Sequence, residues 1–365
     1  MNLLPCAFLL ALSQPLLACG PNALDLDGPA LQASDEPDVL GVARERVETM
    51  VVDGQRLYWI GTHQPRTDGR DVWFLRSCQK HNCAATVVTY DAQRFNVPLN
   101  REAGAADPRF GTSSIQHGEI YWYQPETLQF VACPVAGCNG TPRVVATDIR
   151  LSAAVLDDER LFFAEDSSLF SVPLTQPGPR RNIAPDVNLG ITPLALHGDY
   201  LYWLDGNEKG LRRTRKDGSS GIETITEDAR YSPSHGFGVA TDSSAIYWTN
   251  NSLSGSINRC PLAGCSGSPE VVFAPLRAPH NLLLDGSELY YQYEAAPYEY
   301  TLAHCSLPDC VSSQALAEHL DAPQALALDE EYLYLATTEQ DINPQRPTDT
   351  VARIRQVPKP ERGLP

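Results

Sequence analysis

The amino-acid sequence predicts an all-β protein, a ring of seven four-stranded units, and three observations lead to this prediction. One short pattern of residues recurs seven times along the 365-residue chain. Five of the six intervals between copies are 40 to 45 residues long, enough for four short strands with their turns. No segment carries the 3.6-residue apolar period of a helix, so we expect few helices. Together these features predict a seven-bladed β-propeller of four-stranded blades.

Each copy of the repeat begins with a short apolar run, continues with Asp or His and two or three turn residues, and ends on an aromatic pair. The copies are VVDGQRLYW (51–59), IQHGEIYW (115–122), VLDDERLFF (155–163), LALHGDYLYW (194–203), VATDSSAIYW (239–248), LLLDGSELYY (282–291) and LALDEEYLYL (326–335), the last with Leu335 as its second member. The runs predict two strands joined by a tight turn. Third and fourth strands follow, such as 256–260 and 269–274. Strand alternation places one aromatic on each face, packed between neighbouring blades.

The spacing also predicts how the ring closes. The long interval of 63 residues after the first copy indicates an insertion around 91–111. The seventh copy supplies strands at 324–329, 332–338 and 350–357 and no fourth strand. Residues 37–43 (PDVLGVA) resemble the missing outer strand, so we expect them to complete the last blade and remove its open edge. A six-bladed ring with one degenerate unit is the alternative.

The aromatic pair resembles the YWTD repeat of low-density-lipoprotein-receptor-type β-propellers. Tyr202-Trp203-Leu204-Asp205 and Tyr247-Trp248-Thr249-Asn250 match it best. Predicted bacterial secreted lipoproteins with this repeat are similar. The resemblance implies the architecture across residues 45–357 and no particular ligand.

The N-terminus predicts the compartment. Residues 3–18 are apolar but too short for a membrane span, which is typical of a signal peptide over 1–18. Leu16-Leu17-Ala18-Cys19 resembles a bacterial lipobox, which implies lipidation of Cys19. An ordinary cleaved signal with an incidental cysteine is the alternative. We expect a flexible tether over 19–36, a propeller over 37–358 and a tail over 359–365, in an outer-membrane lipoprotein facing the periplasm or the exterior.

Eight further cysteines form four C-x4-C pairs, each between the third and fourth strands of its repeat. The pairs are Cys78/Cys83, Cys133/Cys138, Cys260/Cys265 and Cys305/Cys310. A disulfide across each hairpin fits that position, because facing strand residues are close enough to bridge. Metal binding is the alternative, but zinc sites favour C-x2-C. Each short loop predicts only about 2 kcal/mol of stabilisation.

Composition excludes several classes of function. Lys and Arg number 28 against 45 Asp and Glu, a formal net charge of −17. Nucleic-acid binding and polybasic membrane binding both need extended basic patches, and the one basic cluster, 212–216, is short. Nucleophile-elbow, zincin, P-loop and dinucleotide-binding motifs are missing from the sequence.

Propellers bind ligands at the mouth of the central channel, so we located the residues that should line it. Counting back five residues from each Asp or His of the repeat, and adding one nearby histidine, gives Glu48, Thr112, Ser152, Thr192, His235, Phe237, His280 and Gln324. His235 and His280, joined by Glu48, would suit a divalent metal or a general base. The favoured interpretation is that both histidines lie on polar loops by chance. His117 and His197 stand in the Asp position and are expected to cap their turns.

Acidic and amide residues after the aromatic pairs would enrich the same face. They are Glu165, Asp166, Asp205, Asn250, Asn251 and Glu294. They would suit Ca²⁺, but the D-x-D-x-D-G loop is missing, so we predict no cofactor, with Ca²⁺ or another divalent metal as the alternative.

The favoured function is a non-enzymatic binding module, monomeric, that presents the mouth to an envelope or extracellular protein, peptide or glycan. No catalytic residue is predicted. The alternatives are a metal-assisted propeller enzyme, similar to streptogramin lyases or sugar lactonases, and a purely structural envelope component.

Overall fold

A computed structural model describes residues 30–36, 38–43, 45–63, 72–94, 113–175, 178–187, 194–205, 210–229, 238–265, 267–340 and 350–360. Within these ranges the chain forms 28 strands in seven four-stranded antiparallel sheets. The predicted seven-bladed propeller is therefore confirmed. The described part contains no helix, and so none long and apolar enough to cross a membrane.

The strands follow one another through the blades in chain order. Blade 1 consists of β2 (Arg46–Val52), β3 (Arg56–His63), β4 (Val72–Gln79) and β5 (Val88–Arg94). Blade 2 consists of β6 (Ser113–Gln116), β7 (Glu119–Gln124), β8 (Gln129–Pro134) and β9 (Arg143–Ala146). Blade 3 consists of β10 (Ala153–Leu156), β11 (Arg160–Glu165), β12 (Ser168–Pro173) and β13 (Arg181–Pro185). Blades 4 and 5 hold β14 (Ala195–His197), β15 (Tyr200–Asp205), β16 (Gly210–Arg215), β17 (Glu223–Thr226); and β18 (Val239–Thr241), β19 (Ala245–Asn250), β20 (Gly255–Pro261), β21 (Glu270–Leu276). Blades 6 and 7 hold β22 (His280–Asp285), β23 (Glu288–Ala296), β24 (Glu299–Ser306), β25 (Gln314–Leu320); and β26 (Ala322–Leu328), β27 (Tyr332–Gln340), β28 (Thr350–Pro358), with β1 (Val39–Ala43).

The N-terminal strand closes the ring as predicted. β1 is the outer strand of blade 7 and pairs antiparallel with β28, with Ala43 opposite Ala352. Part of the expected tether also belongs to the ring. Gln32 exchanges two backbone hydrogen bonds with Val42, of 2.7 and 2.9 Å, and Leu31 is buried over Gly41. Leu31 and Gln32, which the prediction placed in a flexible tether, therefore pack against the outer edge of β1.

Each aromatic pair packs into two different layers between blades, as the strand alternation predicted. The first member of a pair lies in the layer shared with the next blade, and the second lies in the layer shared with the previous blade. Tyr58 thus packs with Trp122, and Tyr202 with Trp248. All four side chains are at most 2% exposed. Burial of such rings contributes on the order of 2 to 3 kcal/mol each, so the ring is stabilised blade by blade.

The Asp of the repeat organises the turn and anchors the first aromatic. Asp53 Oδ1 accepts hydrogen bonds from the backbone N–H groups of Gln55 and Arg56, and Oδ2 accepts one from the Tyr58 hydroxyl at 3.0 Å. Asp242 with Tyr247 and Asp329 with Tyr334 repeat this arrangement. His117 does not cap its turn. It adopts a left-handed φ of 51°, and Tyr121 donates to Glu119 instead.

Polar bonds join neighbouring blades at this turn end of the ring. In three junctions the residue after a third strand is a lysine that reaches the previous blade: Lys80 to Asp329 (2.5 Å), Lys216 to Asp157 (2.9 Å) and Lys359 to Asp285 (2.6 Å). In the other four, a side chain donates to a carbonyl of the next blade: Tyr90 to Val135, Arg143 to Leu174, Arg213 to Leu262 and Arg259 to Pro308. Hydrogen bonds from Lys80 and from two backbone N–H groups outweigh the effect of burial and lower the pKa of Asp329 to about 2.

The four disulfides form between the predicted partners, with Cα–Cα distances of 4.8 to 5.5 Å. The first cysteine of each pair is the penultimate residue of the third strand, where its side chain is buried. These first cysteines are Cys78, Cys133, Cys260 and Cys305. The predicted pairing is therefore confirmed.

The prediction that each disulfide joins facing residues of two strands is wrong for the second cysteine of every pair. The second cysteines lie in the loop, four or five positions before the fourth strand begins: Cys83, Cys138, Cys265 and Cys310. The physical reason is the length of that loop, which is seven or eight residues in these blades, so a cysteine five positions after the first is still inside it. Each bond therefore folds the loop back onto the third strand instead of joining the third strand to the fourth.

Gly238 allows the inner strands of blades 5 and 6 to approach closely, because it has no side chain. A Cβ at this position would lie 2.2 Å from Leu282 Cβ and 2.3 Å from Leu282 N. We expect Gly238→Ala to lower the free energy of unfolding by about 1 to 3 kcal/mol, because two inner strands would have to separate. Urea unfolding measures this. Gly221→Ala, with no atom within 4 Å of the new Cβ, is the control, and an equal effect of both variants would contradict the packing argument.

Candidate functional site

The mouth end of the ring, opposite the Asp and His turns, carries the predicted rim. Glu48, Ser152, His280 and Gln324 lie there within the described residues. The other four predicted rim residues, Thr112, Thr192, His235 and Phe237, lie outside the described residues. The pairing of His235 with His280 therefore stays a prediction.

Glu48 and Ser152 are held by their own blades. Glu48 is 4% exposed, accepts a hydrogen bond from the Thr62 hydroxyl at 2.8 Å, and lies 3.5 Å from Arg46 Nε. The Ser152 hydroxyl donates to the Ala164 carbonyl at 3.1 Å. Both side chains hydrogen-bond the start of a blade's first strand to its second strand, so these two rim residues have a structural role.

His280 and Gln324 lie in the adjacent blades 6 and 7. His280 is buried, with Nδ1 2.8 Å from the Ala278 carbonyl oxygen and its ring edge-on to Tyr300 at 5.7 Å. A carbonyl accepts but cannot donate, so Nδ1 carries a proton and donates to it. Gln324 is 9% exposed, and its Oε1 has no hydrogen-bond partner in the part of the chain that the structure describes.

Three of the four acidic residues that follow the aromatic pairs are paired with arginines, and the fourth, Asp166, is exposed in the turn after β11. Arg180 contacts Glu165, Arg212 lies 3.6 Å from Asp205, and Arg277 lies 2.6 Å from Glu294. Within the described ranges, no group of three or more His, Cys, Asp or Glu side chains is arranged to hold a metal ion. These carboxylates stabilise the second and third strands at the mouth end.

The basic cluster at 212–216 is also neutralised inside the fold. Arg213 pairs with Glu223 at 2.6 Å, Arg215 with Asp199 at 3.2 Å, and Lys216 with Asp157. The cluster therefore presents no unpaired basic strip of the kind that phosphate backbones require, in agreement with the composition.

A buried carboxylate that the sequence did not single out lies where blade 7 passes into blade 1. Glu45 is 1% exposed, accepts a hydrogen bond from Trp59 Nε1 at 2.7 Å, and lies 3.1 Å from Arg76 Nη1. Burial raises the pKa of Glu45 to about 7, although Arg76 and the indole N–H favour its charged form. Only its position between two strands marks Glu45 in the sequence, so its burial required the structure.

Three loops of blades 5 and 6 form one connected surface, which we call the mouth platform: 251–254, 277–279 and 295–298. The Ala278 N–H donates to the Ser252 carbonyl at 2.7 Å, and the Glu294 N–H donates to the Arg277 carbonyl at 2.9 Å. Glu294 Oε1 accepts from the backbone N–H of Tyr298 at 2.9 Å, while Oε2 takes Arg277. The platform is thus fixed by hydrogen bonds within and between its loops.

Two apolar side chains project from the mouth platform. Tyr298 is 88% exposed and Leu253 is 63% exposed. Tyr298 has a φ of 66°, a left-handed conformation that favours Gly or Asn and is unfavourable for a bulky residue. Neither backbone conformation nor burial accounts for a tyrosine here. Sequence reasoning missed it because this signal is a backbone angle.

Two clefts lie beside outer strands, away from the channel. One of about 580 Å³ runs between blades 2 and 3, walled by β9, Ile149, Phe163 and Val172, with Arg180 stacked on Phe170 at one end. The other, of about 450 Å³, runs along β17 between blades 4 and 5. Neither includes a predicted rim residue.

No protein-family model matches the chain. The propeller domain of the Trilobed protease from Pyrococcus furiosus is similar in structure, with a TM-score of 0.55 and 7% identity over 86% of this chain and 93% of that one. The WD40 propeller domain of Doa1 gives a TM-score of 0.55 and 10% identity over 90% and 96%. An acylaminoacyl peptidase from Pyrococcus horikoshii gives 0.53 and 10%, and this chain spans 52% of that enzyme. At such identities the likeness shows the β-propeller fold alone.

Glu45 gives stability a defined pH dependence. Its folded pKa of about 7 lies above the ordinary value of 4.5, so the folded state keeps a proton that the unfolded state has lost. We therefore expect the free energy of unfolding to fall as the pH rises from about 4.5 to about 7. In Glu45→Gln this contribution is removed, so urea unfolding across the window should show a flatter profile. Parallel profiles of the two proteins would contradict it.

Proposed function

We propose that the chain is an exported β-propeller, anchored through a lipid on Cys19, that binds a partner at its mouth without catalysing a reaction. The apolar segment 3–18 and the lipobox-like Leu16-Leu17-Ala18-Cys19 support the anchor. The four disulfides support an oxidising compartment. The proposed place is the cell envelope, on an outer membrane facing the periplasm or the exterior, and the proposed relatives are YWTD-type propellers.

The exposure of Tyr298 carries the binding proposal. A tyrosine in a left-handed conformation loses stability relative to Gly or Asn, and at 88% exposure it gains little from burial. Tyrosine is among the residues that dominate binding energy when a partner covers them. Because hydrogen bonds already order the platform, binding would cost little additional loop entropy.

The charged groups at the mouth end favour binding over catalysis. Glu165, Asp205 and Glu294 are paired with arginines, so these carboxylates are engaged within the fold. A metal-assisted lyase or lactonase remains the alternative, and it depends on His235 as well as His280. No observation on the described residues favours that alternative.

Site-specific photocrosslinking tests the binding surface. We expect a photoreactive phenylalanine analogue at position 298 to give a saturable adduct with an envelope component in cells that make the protein natively. The control is the same analogue at position 311, where Val311 is 89% exposed in a hairpin at the turn end. Adducts at 311 alone, or at neither position, would refute a binding mouth.

Metabolic lipid labelling tests the anchor. We expect the wild-type protein to incorporate a labelled fatty acid and Cys19→Ala to incorporate none, because the thioether forms on this sulfur. Membrane fractionation should then place the variant in the soluble fraction. Equal labelling of both proteins would refute the assignment of Cys19.

A further inference from the structure

Buried polar atoms without partners cluster at the mouth end of the layer between blades 6 and 7. Among the described residues, Gln292 Nε2, Gln324 Oε1 and the hydroxyl of Thr337 have no hydrogen-bond partner, and these three residues are 0%, 9% and 1% exposed. Each such atom, if left unsatisfied, destabilises the folded state, because it has lost its hydrogen bonds to water. A folded ring would carry this cost three times over in one region.

The strand register places these side chains along one layer. Gln292 lies two residues beyond Tyr290 on β23 and opposite Leu302 on β24, and both neighbours belong to the blade 6/7 core. Thr337 lies two residues beyond Leu335 on β27, another member of that core. Because strand side chains alternate, Gln292 and Thr337 continue the layer toward the mouth. Gln324 lies in the bulge of β26 between the partners of Thr337 and Ala336.

The set is uncharged and mixed in its hydrogen-bonding character. Asn281 Nδ2 donates to Gln292 Oε1 at 2.7 Å, which leaves the Gln292 amide N–H as a donor. Gln324 Oε1 is an acceptor, and the Thr337 hydroxyl can do either. A ligand hydroxyl also donates and accepts, so it matches this set. An anion or a cation would satisfy only one of the two amides.

The mouth platform adds an aromatic surface in the same blade. Tyr298 projects from the hairpin at the end of β23, and Gln292 lies four residues before the end of that strand at Ala296. At about 3.3 Å per residue, this separation is about 13 Å. The nearby Arg277 and Glu294 neutralise each other, and the chain has a net charge of −17, which disfavours acidic glycans.

We propose that the mouth of blades 6 and 7 binds a neutral oligosaccharide, with a sugar ring on Tyr298 and one hydroxyl inserted toward Gln324, Gln292 and Thr337. This inference rests on the proposed binding function and names its ligand class. Insertion satisfies the three buried polar atoms, while the apolar face of a second ring covers the tyrosine. The separation of about 13 Å between Gln292 and the end of the strand that carries Tyr298 requires a ligand of more than one sugar unit.

Isothermal titration with four neutral trisaccharides, maltotriose, cellotriose, xylotriose and N-acetylated chitotriose, tests this proposal, and co-sedimentation with insoluble glucan and chitin supplies the polymer arms. We expect at least one soluble or polymeric member to bind. Tyr298→Ala and Thr337→Val should each weaken binding by about tenfold, corresponding to one lost interaction. Val311→Ala, which removes an exposed apolar side chain at the turn end of the same blade, should bind as the wild type does.

A thermal unfolding readout separates ligand recognition from a structural role. Thr337→Val replaces a hydroxyl without a partner by a methyl group of similar size, so its midpoint should equal or exceed that of the wild type. The proposal is overturned if no neutral saccharide binds, if only acidic oligogalacturonates bind, or if both variants bind normally. A photocrosslink from position 298 to a protein, without saccharide binding, would refute the sugar and leave the binding module standing.

Discussion

The whole ring depends on the burial of two large side chains on the second strand of each blade, one on each face of that strand. Tyr58 and Trp59 show the principle, because successive residues of β3 enter the layers with blade 2 and blade 7 respectively. A blade without neighbours would expose both rings to water. In the complete ring both rings are covered, and at three turns the Asp (Asp53, Asp242 and Asp329) orients the tyrosine that enters the next layer.

The sequence was sufficient for the architecture because the repeat encodes it locally. Asp53, its turn and the pair that follows specify two strands and two buried faces within nine residues. The same counting located Glu48 and His280 at the mouth but not their roles. Those roles depend on Thr62 and the Ala278 carbonyl, which the fold alone brings into contact. The prediction of a flexible tether did not anticipate the burial of Leu31, because the residues around it are polar.

Charged and uncharged polar side chains have different roles in this molecule. Lysines and arginines are used within and between blades, as in Lys216 with Asp157 and Arg277 with Glu294, so the acidic excess remains on the surface. Gln292 and Thr337 are uncharged and keep hydrogen-bonding capacity in the interior of the described residues. This arrangement is consistent with the proposed binding of a neutral ligand at the mouth.

Closure by the N-terminal strand has a consequence for synthesis. Asp38 and Arg355, which pair where β1 meets β28, are 317 positions apart. The first strand to be synthesised therefore cannot pair with β28 until nearly the whole chain has been made. Until β28 has been made, blade 7 is incomplete and β1 lacks its partner strand. A chain interrupted before residue 350 keeps both edges exposed, which distinguishes incomplete products from finished ones. Pairing of β1 with β28 therefore shows that the chain is complete, in addition to closing the ring.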